Sequence, residues 1–164
     1  MSKFEAITLT KKKDNRGEIT SYSVNVSKRE AAACGILDTP VIKIIDEREG
    51  SILIKAKSLT VENELLQAVI AQKKALEKED YYRYLCKLSV EMLTDLVMLM
   101  YIGQEQDLDM SIASGVQRFL SYYQEHIRIV SGKSTEELVD ILAKKAPLTT
   151  YLRIGYDLVF AERG

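Results

Sequence analysis

The chain has 164 residues, a 46% hydrophobic share and a net charge of −1, which excludes wholesale disorder and leaves room for one domain or two small ones. Two cysteines, Cys34 and Cys86, form no CxxC pair, and no apolar leader follows Met1. A reducing cytoplasm and two thiols buried as small hydrophobes are therefore expected. The longest uncharged apolar run, Leu96 to Ile102, falls far short of the roughly 20 residues of a membrane span, so no membrane partner is expected.

In chain order, the first third reads as strands. Phe4, Ala6, Thr8 and Thr10 alternate with Glu5, Ile7, Leu9 and Lys11, and Asp14-Asn15-Arg16-Gly17 supplies a turn. Ile19 to Val26 is rich in β-branched and aromatic residues, as a strand requires. Ser27 offers an N-cap to a short helix from Lys28 to Cys34, and Gly35 stands where a left-handed residue ends it. After the loop Leu37 to Pro40, the runs Val41 to Ile45 and Ile52 to Ile54 flank a charged turn, Asp46 to Gly50, and read as a hairpin. Each strand is expected to show one apolar and one wet face.

Composition changes at Lys57, and the chain divides into residues 1 to 57 and 58 to 164. The first part carries eleven Lys and Arg against eight Asp and Glu, the second twelve against sixteen. A mildly basic module joined to an acidic one fits a DNA-contacting part beside a part with another task. The second part has helical period. The spacing predicts helices over about Thr60 to Lys78, Asp80 to Ile102 and Met110 to Val130, then one opened by a capping box at Ser134-Thr135-Glu136-Glu137 and one from Leu148 to Ala161. Gly103 to Asp109 is read as a polar break. The fold class expected is α+β, a small β-rich module followed by an all-α bundle of four or five helices.

A module of this size with four short strands buries too little apolar surface to stand alone. Disulfides and metal clusters are lacking, so a partner chain is the remaining device. Val24-Asn25-Val26-Ser27-Lys28-Arg29-Glu30-Ala31-Ala32-Ala33-Cys34-Gly35-Ile36 resembles the central signature of the AbrB/MazE/SpoVT swapped-hairpin DNA-binding family, where a strand runs into a capped short helix ending in a Gly-Ile or Gly-Leu step. The flanking order agrees over residues 4 to 57: Lys11 to Gly17 and Ile19 to Val26 before it, then Asp38, Val41 to Ile45, Glu47 to Gly50 and Ser51 to Lys57 after it. Ser27 and Cys34 replace the commoner Pro and Leu. Ala31 and Ala32 stand where many members carry basic residues, with Lys28 and Arg29 one turn earlier.

The resemblance implies a β-barrel-like homodimer formed by exchanged hairpins, with the first loop and the start of the helix toward double-stranded DNA. Those positions hold Lys11, Lys12, Lys13, Arg16, Lys28 and Arg29, about twelve positive charges in a dimer, enough for salt-sensitive binding. Arg16 is the candidate for reading a groove, since a guanidinium fork pairs with guanine. Without the resemblance, Lys11 to Lys13 also reads as a solvated strand end that protects an edge.

The helical part carries no nucleophile–base set. His126 is the only histidine, so neither a catalytic triad nor a three-histidine metal site fits within one chain. Asp107 and Asp109 read as caps or loop residues, and no cofactor or metal is expected. Tyr81, Tyr82, Tyr84, Tyr122 and Tyr123 fit either a core rim or a ligand pocket or interface. The helix holding Met92, Met98 and Met100 is apolar on nearly all sides, and is either central to the bundle or pressed on a second copy. Three functions stay open: a dimeric, possible tetrameric, nucleoid-associated transcription regulator; an antitoxin or inhibitor whose helical domain blocks a protein partner; and a structural interaction protein without DNA binding.

Overall fold

The computed structural model describes residues 10–161 apart from 24 and 38. It is a mixed α+β structure, with two antiparallel two-stranded sheets and seven α-helices among the described residues. The chain divides into two compact units, Met1–Ala56 and Lys57–Gly164.

In the first unit, β1 (Thr10–Lys13) pairs with β2 (Ile19–Ser23). The register slips after Lys12↔Ser21 to Lys13↔Ile19, leaving Thr20 as the extra residue of a bulge. The expected strand residues from Phe4 to Leu9, and Val24, lie outside the described residues; β2 covers Ile19–Ser23, and Asn25 and Val26, expected in it, are not in a strand. Helix α1 (Lys28–Ala33) has Cys34 as its C-cap. It closes with the Ile36 amide donating to the Ala31 carbonyl and the Gly35 amide to that of Ala32, a Schellman arrangement that places Gly35 at φ 67°.

Strands β3 (Val41–Asp46) and β4 (Ser51–Ala56) pair in unbroken register. Among the described residues the two hairpins stay separate sheets and form no closed barrel. The four strands described leave each sheet with open edges, so closure needs further strands.

The register also corrects the expected alternation. Val41/Ala56, Lys43/Ile54 and Ile45/Ile52 share one face of β3–β4, while Ile42/Lys55 and Ile44/Leu53 share the other. Both faces are apolar, because Val-Ile-Lys-Ile-Ile and Ile-Leu-Ile are near-continuous runs, the pattern of strands covered on two sides. Yet no described residue of this unit is buried, and Ile45, Ile52, Leu53 and Ile54 are each more than half exposed.

The second unit has its own core. Its helices are α2 (Asn63–Ala75), α3 (Lys78–Leu85), α4 (Val90–Glu105), α5 (Gly115–Glu125), α6 (Thr135–Lys144) and α7 (Leu148–Phe160), with a 3₁₀ turn at Ile127–Ile129. That makes six helices where four or five were expected. The expected helix from Asp80 to Ile102 is broken because Ser89 accepts the Met92 amide at 3.2 Å and starts α4 afresh. The expected helix from Met110 to Val130 is shortened to α5, capped by Ser114. The capping box predicted at Ser134 is formed, with Glu137 Oε2 accepting the Ser134 amide at 2.7 Å.

Helix α4 lies at the centre, packed mainly on α7 and α6. Leu93, Leu96, Val97, Met98, Leu99, Met100 and Ile102 are fully buried by the same chain, so its all-round apolarity reflects a central position. Gly103 is inside α4, not in a break. A Cβ there would lie 1.9 Å from the Tyr151 carbonyl oxygen, and one at Gly155 would lie 1.9 Å from that of Leu99. The α4 and α7 backbones therefore touch at two glycines.

Two charged side chains are buried in this unit. Lys57 pairs with Asp95, both side chains wholly inaccessible. Asp95 also accepts the Thr60 amide and hydroxyl, both at 2.6 Å, and the Lys57 ammonium faces the rings of Tyr123 and Phe119 at 5.0 and 5.6 Å. Burial raises the Asp95 carboxyl pKa against the opposing pull of Lys57 and Thr60. Arg118 spends its guanidinium on the carbonyls of Ile112, Ala113, Val159 and Ala161. It thereby satisfies the C-terminal end of α7 with a cation, the charge that end favours.

Candidate nucleic-acid interface

The first cluster of predicted site residues is built on the β1–β2 turn. Asp14 and Glu18 close the loop through the Asp14 amide and the Glu18 carbonyl at 2.9 Å, and the Gly17 amide donates to the Asp14 carbonyl at 3.1 Å. Gly17 adopts φ 83°, the left-handed residue that completes a three-residue hairpin loop. Inside the loop, the Asp14 carboxylate accepts the backbone amides of Arg16 at 2.8 Å and Glu18 at 3.0 Å. Arg16 is thus presented at an exposed tip whose backbone is fixed by a neighbouring acid. Lys11 pairs opposite Tyr22, Lys12 opposite Ser21 and Lys13 opposite Ile19. Strand alternation sends Lys11 and Lys12 to opposite faces, so the three lysines are not one flat patch.

The second cluster is the first turn of α1. Ser27 Oγ accepts the Glu30 amide at 3.2 Å, while Glu30 Oε2 accepts the Ser27 amide at 2.8 Å and its hydroxyl at 2.6 Å. This capping box holds Lys28 and Arg29 at the first two helical positions. Cations there face the positive end of the helix dipole, which costs a few tenths of a kcal/mol, about 0.3 or more each. Their placement is locally unfavourable.

Lys11, Lys12, Lys13, Arg16, Lys28 and Arg29 are all exposed. Among the described residues none of the six enters an ion pair. Two acids beside them, Asp14 and Glu30, are engaged with backbone amides. The structure gathers Lys11–Lys13 with Arg16 at one end of the first hairpin, and Lys28 with Arg29 on α1. Among the described residues, extensive packing in this unit is confined to the two hairpins.

Sequence reading missed the parts played by Asp14 and Glu30. Ser27-x-x-Glu30 is a capping-box pattern that was legible, and Asp14 three residues before Gly17 is a turn signal that predicts carboxylate–backbone bonding.

The helical unit offers no excess of positive charge, with twelve Lys and Arg against sixteen Asp and Glu over residues 58 to 164. A groove of about 460 Å³ between α3 and α6 is lined by Lys78, Tyr82, Arg83, Asp140 and Lys144. Its cations are largely answered: Arg83 pairs with Asp80 at 3.2 Å and Lys144 with Asp140 at 2.6 Å. His126 caps α5, stacks on Tyr122 at 4.0 Å and sets Nδ1 3.0 Å from the Tyr122 carbonyl. Tyr81, Tyr122 and Tyr123 are buried core residues. Burial, together with the nearby Asp95, pushes the Tyr123 hydroxyl up to about 12. Cys34 and Cys86 are both exposed, contrary to expectation, because each sits at a helix C-terminus facing outward. Asp109 accepts the Ser111 amide at 2.8 Å within the loop. Among the described residues no group of three metal-ligating side chains occurs, and no helix is long and apolar enough to cross a membrane. Compared with family models, with characterised proteins and with solved structures, the chain has no match.

Proposed function

We propose that this protein is a non-enzymatic, nucleoid-associated transcription regulator that binds double-stranded DNA as a homodimer through residues 1 to 57. The observation that carries the reading is the set of six exposed cations that enter no ion pair among the described residues, with two of the acids beside them, Asp14 and Glu30, engaged by backbone amides. Unanswered cations on a fixed scaffold displace condensed counterions from a duplex.

The dimer rests on a second observation. A unit with no buried residue among those described, and two apolar faces on one hairpin, needs covering. A second copy supplies matching surface by symmetry, and the resemblance to the AbrB/MazE/SpoVT swapped-hairpin family favours exchanged hairpins as the means. In this reading the helical unit, with a core of its own, serves assembly, sensing or recruitment.

The test is a titration of the protein against duplex DNA of random sequence across a salt series. Binding should weaken steeply as salt rises, and the Lys28→Ala/Arg29→Ala variant should lower the slope of log affinity against log salt by roughly one per lost phosphate contact. Absence of binding at low salt would remove the DNA reading.

A further inference from the structure

We infer that Asp14 is a positioning residue for Arg16, holding the tip of the β1–β2 loop in the shape in which the arginine meets DNA; this rests on the DNA reading above. An acid two residues from a proposed DNA contact should by charge alone repel the duplex. Its geometry gives it another task. The Asp14 carboxylate accepts the Arg16 amide at 2.8 Å and the Glu18 amide at 3.0 Å. It thereby ties together the residue that carries the guanidinium and the one that begins the return strand.

The loop has no packing to do this instead. All residues from Asp14 to Thr20 are exposed, and a Cβ built at Gly17 meets nothing within 4 Å. The remaining bonds of the loop are the backbone pairs Asp14–Glu18 and Gly17–Asp14. Neither holds the Arg16 amide, which the carboxylate alone accepts. Without it Arg16 gains backbone freedom that must be given up on binding, and ordering entropy is a leading cost of association. The carboxylate's charge meanwhile is turned inward onto two N–H dipoles, which moderates its repulsion of phosphate.

Position and repulsion predict opposite signs, so a mutant cycle separates them. The affinity of the full chain for a random-sequence duplex is measured at low salt for wild type, Asp14→Ala, Asp14→Asn, Arg16→Ala and Asp14→Ala/Arg16→Ala, with thermal melting of each as a check on folding. Arg16→Ala should weaken binding roughly tenfold. Asp14→Ala should reproduce several-fold of that loss, and Arg16→Ala in its background should cost less than about threefold. Asp14→Asn keeps the accepting oxygen and should bind at least as well as wild type, with an unchanged melting temperature. Tighter binding by Asp14→Ala and Asp14→Asn alike, or strictly additive losses, would overturn the inference and leave the DNA reading intact. A wild type that binds no duplex would remove both.

Discussion

At the residue scale, the buried Lys57–Asp95 pair is the point where a single atom matters most. Two charges are held away from water by each other, by Thr60 and by two aromatic rings. Removing one partner strands the other in a low-dielectric core. Asp95→Asn should therefore destabilise the helical unit by about 3–5 kcal/mol, whereas Lys57→Met/Asp95→Leu should be near neutral or stabilising. Thermal or urea unfolding of the two variants checks this; equal losses would assign the site's worth to packing alone. None of it was legible in sequence, where Lys57 reads as the basic end of a strand and Asp95 as the charge just before the apolar run Leu96 to Ile102. Pairing across 38 positions leaves no local pattern.

At the scale of elements, two contacts decide the architecture. The α4–α7 crossing depends on Gly103 and Gly155, where any Cβ meets a carbonyl oxygen. Gly103→Ala or Gly155→Ala should cost about 3 kcal/mol or more, at the upper end of overpacking effects, because backbone cannot move aside as a side chain can. A melting temperature unchanged by either substitution would refute that crossing. Sequence reading misplaced Gly103 in a loop, since a glycine required for close approach and one required for a turn look alike from composition.

The β3–β4 hairpin poses the converse problem. Its pairing was plain in the two apolar runs and the charged turn, but the register shows apolar residues on both faces. The proposed dimer would cover both faces, so Ile52→Lys on one and Leu53→Lys on the other should each give a monomer, read by sedimentation or light scattering. If only one substitution does so, the other face is open to solvent.

At the scale of the whole molecule, the legible features were those with local grammar. The capping box at Ser134, the hairpin turn at Asp46–Gly50 and the short α1 ended by Gly35 all follow from a few adjacent residues. The breaks at Ser89 and Ser114 carry the same kind of signal, a serine that caps the next helix, yet a continuous apolar periodicity overrode them. The cation set was legible as residue types and the engagement of Asp14 and Glu30 was implied by the turn and capping-box patterns, while the lack of ion pairs at the six cations among the described residues needed coordinates. The barrel-like dimer was expected from the resemblance, and among the described residues one chain closes no barrel.

The most direct test of a DNA-binding dimer is sedimentation velocity of the full chain with a fluorescent duplex, at low and at raised salt. The expected result is a dimer when free, two chains joining the duplex together at low salt, and release of an intact dimer as salt rises. A monomer that never sediments with the duplex would contradict it.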